Sequence, residues 1–285
     1  MSDQGGGDLI LDVRPEEAFA TCHRRGAVNI PLESLARRIH ELPPRGKWFT
    51  VFDVDRRRAL WARSRLRARG RSGVEAVYGE SWLAAGPAET GPTRGRLWEP
   101  HGLLTEAVET AGGLWGSVQG RRALDIACGA GRDGVFLALS GFVVEGWDLL
   151  PDALERCNDL ARRCGVELRT ACRDVERLPE SRADSAPDSD ASRFDLICCF
   201  NYLHRPLMPW IARSVRPGGL VVYETFVYPQ RALFGKPRRE AFILKPGELR
   251  TYFPGWEVLV FREGLAGPRR HAASLIARRS PIGRQ

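Results

Sequence analysis

The run Gly129-Ala130-Gly131-Arg132-Asp133-Gly134 follows an apolar stretch ending in Leu124-Asp125-Ile126-Ala127-Cys128 and opens a helical pattern. Glycines at this spacing uncover backbone N–H groups at a helix N-terminus, so a ligand can approach the main chain closely. Asp148 ends the next apolar stretch, where a carboxylate can accept both hydroxyl hydrogens of a ribose. A nucleotide-like ligand is therefore expected, and two kinds compete. A dinucleotide brings an anionic pyrophosphate to the glycine turn, and Asp125, just before it, would repel that charge. S-adenosylmethionine brings a sulfonium and an ammonium, which a carboxylate favours, so Asp125 tips the choice to that cofactor.

Three further groups can act on a bound substrate. Tyr202-Leu203-His204-Arg205-Pro206 follows the apolar run 194–200, and Glu224 ends the run 220–225. Residues at the C-terminal ends of strands in an open α/β sheet face the ligand crevice. Tyr202 and His204 are thus expected beside the reacting centre. Arg205, fixed by the following proline, and Arg132 are expected to clamp an anionic acceptor. If the acceptor is instead an amine or a hydroxyl, His204 or Glu224 is the expected proton acceptor. Cys198 and Cys199 read as buried thiols, and Arg132 and Asp133 can equally pair or cap the first helix.

The elements that position these groups alternate. From residue 121 on, strands are expected at 123–127, 143–148, 167–171, 194–200 and 220–225, with helices at 151–164 and 209–215, a Pro217-Gly218-Gly219 turn, and a closing hairpin of 256–262 with 273–277. This is the pattern of a doubly wound, Rossmann-like parallel sheet closed by an antiparallel hairpin. Residues 180–193 have almost no apolar content and are expected to form a mobile surface loop. Before residue 121, a separate α/β unit is expected over 1–92: strands at 9–13, 48–53 and 74–78, and helices at 32–41 and 57–69. A linker and lead-in helix fill 93–120, where Gly86-Pro87 to Gly95 break the pattern.

The second unit resembles class I S-adenosylmethionine-dependent methyltransferases from about residue 121 to 279. Leu124 to Gly131 is similar to the family's first motif, with Ala127 in place of its usual first glycine. Trp147-Asp148, Arg173-Asp174-Val175, the run Phe194 to His204 and the turn Arg216 to Glu224 follow in the family's order. The resemblance implies cofactor contacts from Asp125, Ala127, Cys128, Gly129, Gly131, Asp148, Leu149, Asp174, Val175 and Phe200. Gly129 to Asp133, Tyr202 to Pro206 and Glu224-Thr225-Phe226 look most like the tellurite-resistance-type small methyltransferases.

The first unit resembles rhodanese domains over about residues 8–86. Leu11-Asp12-Val13-Arg14-Pro15, Phe19, His23 to Pro31 and the closing Gly79-Glu80-Ser81-Trp82 carry that likeness. The resemblance places the family's persulfide-bearing cysteine at the end of 49–53, where this chain has Asp53, with Arg58 as the loop's arginine. A carboxylate cannot hold a sulfane sulfur, and Cys22 lies on the other side of the expected fold. The domain is expected to dock, position or sense, or to survive as a structural remnant.

Composition sets the outer limits. Hydrophobic residues at 43% and charged residues at 27% describe a globular chain. No apolar run approaches the about 18 residues that span a bilayer, and residues 1–8 form no signal core, so no membrane partner and a cytoplasmic location are expected. The seven cysteines lack Cys-x-x-Cys spacing, which argues against a disulfide framework or a zinc site, and no metal is expected. Eight arginines and no acid in 56–71 equal the whole net charge of +8. The leading expectation is methyl transfer to a small, anionic acceptor such as a thiol or a chalcogen oxyanion. The alternatives are an RNA-modifying enzyme that uses residues 56–71 as a phosphate-binding surface, and a non-catalytic S-adenosylmethionine-binding regulator.

Overall fold

A computed structural model describes residues 9–177, 194–267 and 269–281, so the segment 180–193, expected as a surface loop, lies outside the described residues. The chain divides into two compact units at Glu99/Pro100. Residues 93–99 thereby fall in the first unit, with Leu97 in its core, and the lead-in helix belongs to the second.

In the first unit, strands β1 (Ile10–Asp12), β3 (Val28–Asn29), β4 (Phe49–Asp53) and β5 (Val74–Tyr78) form a parallel sheet in the order β3-β1-β4-β5, while β2 (His23–Arg24) pairs with β6 (Ala88–Glu89). Helix α1 (Glu16–Thr21) follows β1, α2 (Arg56–Ala68) follows β4, burying Ala59, Ala62 and Leu66 at helical spacing, and α3 (Glu80–Ala84) follows β5. The helix expected at 32–41 does not form. Ser34, Leu35 and Arg37 bond to carbonyls three residues back, and only Ile39–Glu41 makes a 3-10 turn. Pro31 on one side and Pro43-Pro44 on the other limit the segment, and the tighter turns deliver Leu35 and Leu42 to the core.

Among the described residues the second unit has seven strands: β7 (Arg122–Ile126), β8 (Val143–Asp148), β9 (Arg169–Cys172), β10 (Phe194–Phe200), β11 (Val215–Phe226), β12 (Glu257–Gly267) and β13 (Arg270–Arg278). In space they run β12-β13-β11-β10-β7-β8-β9. The first five are parallel, and β13 is antiparallel to both of its neighbours. The order reverses between β7 and β10, and such a switch point opens a crevice at the strands' C-terminal ends. Strand β10 is buried along its whole length, which its near-continuous apolar sequence requires. Its one acid, Asp195, is met by the Arg122 N–H at 2.8 Å and by Arg121 and Arg216.

The Pro217-Gly218-Gly219 turn is absorbed into β11, which runs from Val215 with a register shift opposite Phe194/Leu196. A side chain on Gly219 would lie 2.7 Å from the Asp195 carbonyl, so glycine is what lets the irregular strand pass. Helices α4 (Gly102–Trp115), α5 (Arg132–Leu139), α6 (Pro151–Arg163) and α7 (Met208–Ser214) flank the sheet. Among the described residues no helix is long and apolar enough to cross a membrane, and no cluster of three or more His, Cys, Asp or Glu could hold a metal ion.

Candidate functional site

The glycine turn joins β7 to α5. Ala127, Gly129 and Gly131 all have positive φ, at 57°, 55° and 82°, so the turn is left-handed at three positions. Ala127 is strained there, which explains why glycine suits that place, and a left-handed alanine costs about 1–2 kcal/mol. A side chain on Gly129 would meet nothing within 4 Å, leaving its backbone open to a ligand, whereas one on Gly131 would strike Cys157. Cys128 packs against Gly146, and the neighbouring Cys157 thiol together with burial pushes its own thiol up. Cys198 and Cys199 are buried and likewise pushed up by burial. Cys128, Cys198 and Cys199 are not reactive in that state.

Asp148 ends β8 with Oδ2 accepting the Gly129 N–H at 2.8 Å and Oδ1 accepting the Leu150 N–H at 2.9 Å. Beside it Leu149 is 56% exposed, a large apolar side chain suited to the face of a flat base. Asp174 accepts the Glu176 N–H and pairs with Arg177, and Val175 is buried behind it. The Tyr202 hydroxyl donates to Glu176 Oε1 at 3.2 Å, and burial and the Glu176 charge keep it a phenol. These groups fit a nucleoside with an open ribose edge.

Asp125 departs from expectation. It is 2% exposed and sealed beneath the turn, with Oδ1 accepting the Cys198 thiol and Oδ2 without a hydrogen-bond partner among the described residues. Burial pushes its carboxyl well up, with Asp133 adding to the effect. It lies beneath the turn, against the start of α5. Gly134 must be small for the same reason, since a side chain there would meet Leu168 at 2.8 Å and Asp125 at 3.2 Å.

Next to Phe200 lies a cavity of about 530 Å³ between the start of α4 and the β12–β13 hairpin. Its polar lining comes from His101, Ser274, the carboxylates of Glu106, Glu224 and Glu263, and the guanidinium groups of Arg262 and Arg270. The His101 ring stacks on Phe200 at 4.1 Å, and its backbone N–H donates to Asp133 Oδ1 at 2.6 Å, tying the cavity to the glycine-turn helix. His101 Nε2 stands 3.1 Å from Glu224 Oε1, and Nδ1 accepts the Leu103 N–H at 3.3 Å. Glu224 also accepts Arg270 at 2.6 Å and the Ser274 hydroxyl at 2.6 Å. Burial alone would raise its carboxyl, but His101, Ser274 and Arg270 outweigh burial and bring it down to about 2. Glu224 is therefore a fixed carboxylate, too weak a base to serve as the proton acceptor named above.

Arg205 is immobile, but for another purpose. Its guanidinium donates to Glu248 at 2.7 and 3.0 Å and to the carbonyls of Ala241 and Ile243, so it locks the connection between β11 and β12 and has no fork left for an anion. His204 is half-buried at the head of the 3-10 turn Arg205–Leu207, and Arg132 is exposed at the head of α5. Neither lines the cavity. Sequence reading missed His101 and Arg270. Scarcity could have marked His101, one of five histidines and set just before a helix, but forty arginines hide Arg270.

In the first unit Asp53, 2% exposed at the end of β4, accepts the Asp55 N–H at 3.0 Å and Arg58 Nε at 2.9 Å. The carboxylate thus occupies the donors that a persulfide anion would need. No thiosulfate-to-cyanide turnover above a blank is expected, and Asp53→Cys is expected to give weak activity. Wild-type turnover abolished by Cys22→Ser would instead locate the nucleophile at Cys22. Of the arginines in 56–71, Arg56 and Arg65 lie over the Tyr78 and Trp61 rings, Arg58 pairs with Asp53 and Glu33, and Arg67 and Arg71 donate to backbone carbonyls. These five are held within their own unit.

Comparison with known proteins agrees with both halves. Residues 123–219 match the family described as a methyltransferase domain, and residues 1–80 match the rhodanese-like domain. Over 173 residues the chain is 30% identical to hemagglutinin 1 of Eikenella corrodens, covering 58% of this chain and 51% of that protein. Over 142 residues it is 30% identical to the ubiquinone biosynthesis O-methyltransferase of Alkalilimnicola ehrlichii, covering 46% and 54%. The chain thus spans about half the length of each. The crystal structure of TehB from Haemophilus influenzae shares the fold at a TM-score of 0.50 and 20% identity, over 63% of this chain and 62% of that one.

Proposed function

We propose that this chain, which joins a rhodanese-like domain to an S-adenosylmethionine-dependent methyltransferase domain, methylates a small acceptor that arrives as an anion, a thiolate or a chalcogen oxyanion. The observation that carries this reading is the cavity beside Phe200, in which each potential base is already engaged. Glu224 is held by three partners, both His101 nitrogens are used, Glu106 is paired with Arg262, and Glu263 accepts the Gly247 N–H. A site without a free base suits a nucleophile that needs no deprotonation.

When bound, S-adenosylmethionine supplies a methyl carbon on a sulfonium, already activated for in-line displacement, and leaves as a neutral thioether. The chain's own residues orient and exclude water. Asp148 and the backbone of Gly129 hold the nucleoside end, and Phe200 and His101 form the apolar partition against which cofactor and acceptor meet. Tyr202, tied to Glu176, closes the adjoining edge. The rhodanese-like domain, with Asp53 in its anion site, takes no part in the chemistry.

A labelled-methyl assay against thiols, selenite, tellurite, phenols, amines and bulk RNA tests the reading. Turnover confined to thiols or chalcogen oxyanions supports it. Transfer to phenols or amines alone, or to RNA alone with loss in an Arg63/Arg67 double alanine, overturns it.

A further inference from the structure

We infer that Arg270 is the specificity-determining residue of the acceptor cavity, gripping an anionic group on the acceptor at a point separate from the atom that is methylated. This rests on the reading of the cavity as the acceptor site. Arg270 begins β13, and its side chain is 27% exposed, toward the cavity it lines. Nε and Nη2 donate to Glu224 Oε1 at 3.0 and 2.6 Å, and Nη1 donates to Asn201 Oδ1 at 2.6 Å. A guanidinium has five N–H donors, so one remains on each Nη, and each can donate to an oxygen of a carboxylate or an oxyanion.

The grip is rigid, because its holders are themselves fixed. Glu224 is also bonded to Ser274 and His101. Asn201 sits in the left-handed region at φ 58°, and its N–H donates to the Glu224 carbonyl at 2.9 Å. The Phe226 ring lies 5.3 Å beneath the guanidinium. The other cation of the lining, Arg262, is spent in a two-pronged pair with Glu106 at 2.7 and 2.8 Å and is 62% exposed at the rim. The Glu224 charge is offset by Arg270, and its oxygens are occupied by Arg270, His101 and Ser274.

Asn201 directly follows Phe200 at the end of β10, so the anchor stands beside the partition where the two substrates meet. An acceptor held there is short, with its anionic group a few bonds from the nucleophile. A mercapto-carboxylate has that chemistry.

The test uses the full chain saturated with S-adenosylhomocysteine and titrated calorimetrically with mercaptoacetate and with 2-mercaptoethanol, two small thiols with and without the carboxylate. Mercaptoacetate is expected to bind at least about tenfold more tightly, which corresponds to about 1.4 kcal/mol, since its carboxylate gains charge-assisted hydrogen bonds to Arg270. Arg270→Ala is expected to erase that preference and to leave S-adenosylhomocysteine affinity unchanged. Arg270→Gln, which can still bond to Glu224 and Asn201, is expected to do the same and serves where the alanine variant does not fold. Equal affinity for the two thiols in the wild type, binding of neither, or a preference that survives both substitutions overturns the assignment. Failure of S-adenosylhomocysteine to bind at all sinks the methyltransferase reading instead, and the same thiol pair titrated into the free protein then still judges Arg270.

Discussion

Asp148→Ala is expected to lower the affinity for S-adenosylmethionine by about a hundredfold to a thousandfold, which corresponds to about 3–4 kcal/mol. The carboxylate has room for about four hydrogen bonds on its two oxygens. Two positions are taken by the N–H groups of Gly129 and Leu150, and two remain for the ribose hydroxyls. Each ribose bond is charge-assisted and worth about 1.5–3 kcal/mol. The alanine variant also frees the Gly129 N–H in a turn that already holds Ala127 in the left-handed region, so the turn loses the tie that sets its shape. Asp148→Asn keeps the size but puts a donor where an acceptor is needed, and its loss should be intermediate. Calorimetry with S-adenosylmethionine and with NAD decides: tight binding of NAD and none of S-adenosylmethionine would overturn the ligand assignment, and an unchanged affinity in Asp148→Ala would remove Asp148 from the site.

What the sequence made legible was local. Gly129 and Gly131 are dictated by backbone angles within three residues of each other, and Asp148 by the end of an adjacent parallel strand, so spacing alone brings the glycine turn and the carboxylate together. The alternation of strands and helices likewise located the sheet and its closing hairpin. Contacts across the chain left no such mark. Glu224 meets Arg270 from 46 positions away, and Glu106 meets Arg262 from 156. Arg205 shows the converse error. Pro206 correctly signalled a fixed arginine, but Glu248, on a short helix (Glu248–Thr251) that periodicity did not reveal, decided where the guanidinium would be fixed. Asp125 lies on its expected strand but is buried beneath the turn, because motif spacing does not say which side of a turn is covered by the following helix.

Acid should weaken the second unit through Glu224, with an expected loss of about 3 kcal/mol between pH 5 and pH 2 attributable to this one side chain. Burial disfavours its charge, but His101, Ser274 and Arg270 hold it at about 2 against an ordinary 4.5. The folded state therefore binds this proton less readily than the unfolded chain does. The stabilisation is fully present above pH 4.5 and is lost as the pH falls from there through about 2. Glu248, brought to about 2 by Arg205, Tyr252 and the Lys245 N–H against its own burial, acts in the same window and the same direction. Asp125 and Asp133 oppose it in the same unit, as Asp12 does in the first. Burial raises each of them, so the folded state is favoured below their unfolded values and loses that advantage as the pH rises through their folded ones. The wild-type slope is a sum of both signs, and the comparison with Glu224→Gln isolates the single group. Urea unfolding at several pH values should show the variant less stable than the wild type at pH 6, with the gap closing as the pH approaches 2. A gap that stays constant over that range would mean that the Glu224 carboxylate is not held by its three partners, and the rigid mounting of Arg270 would fall with it.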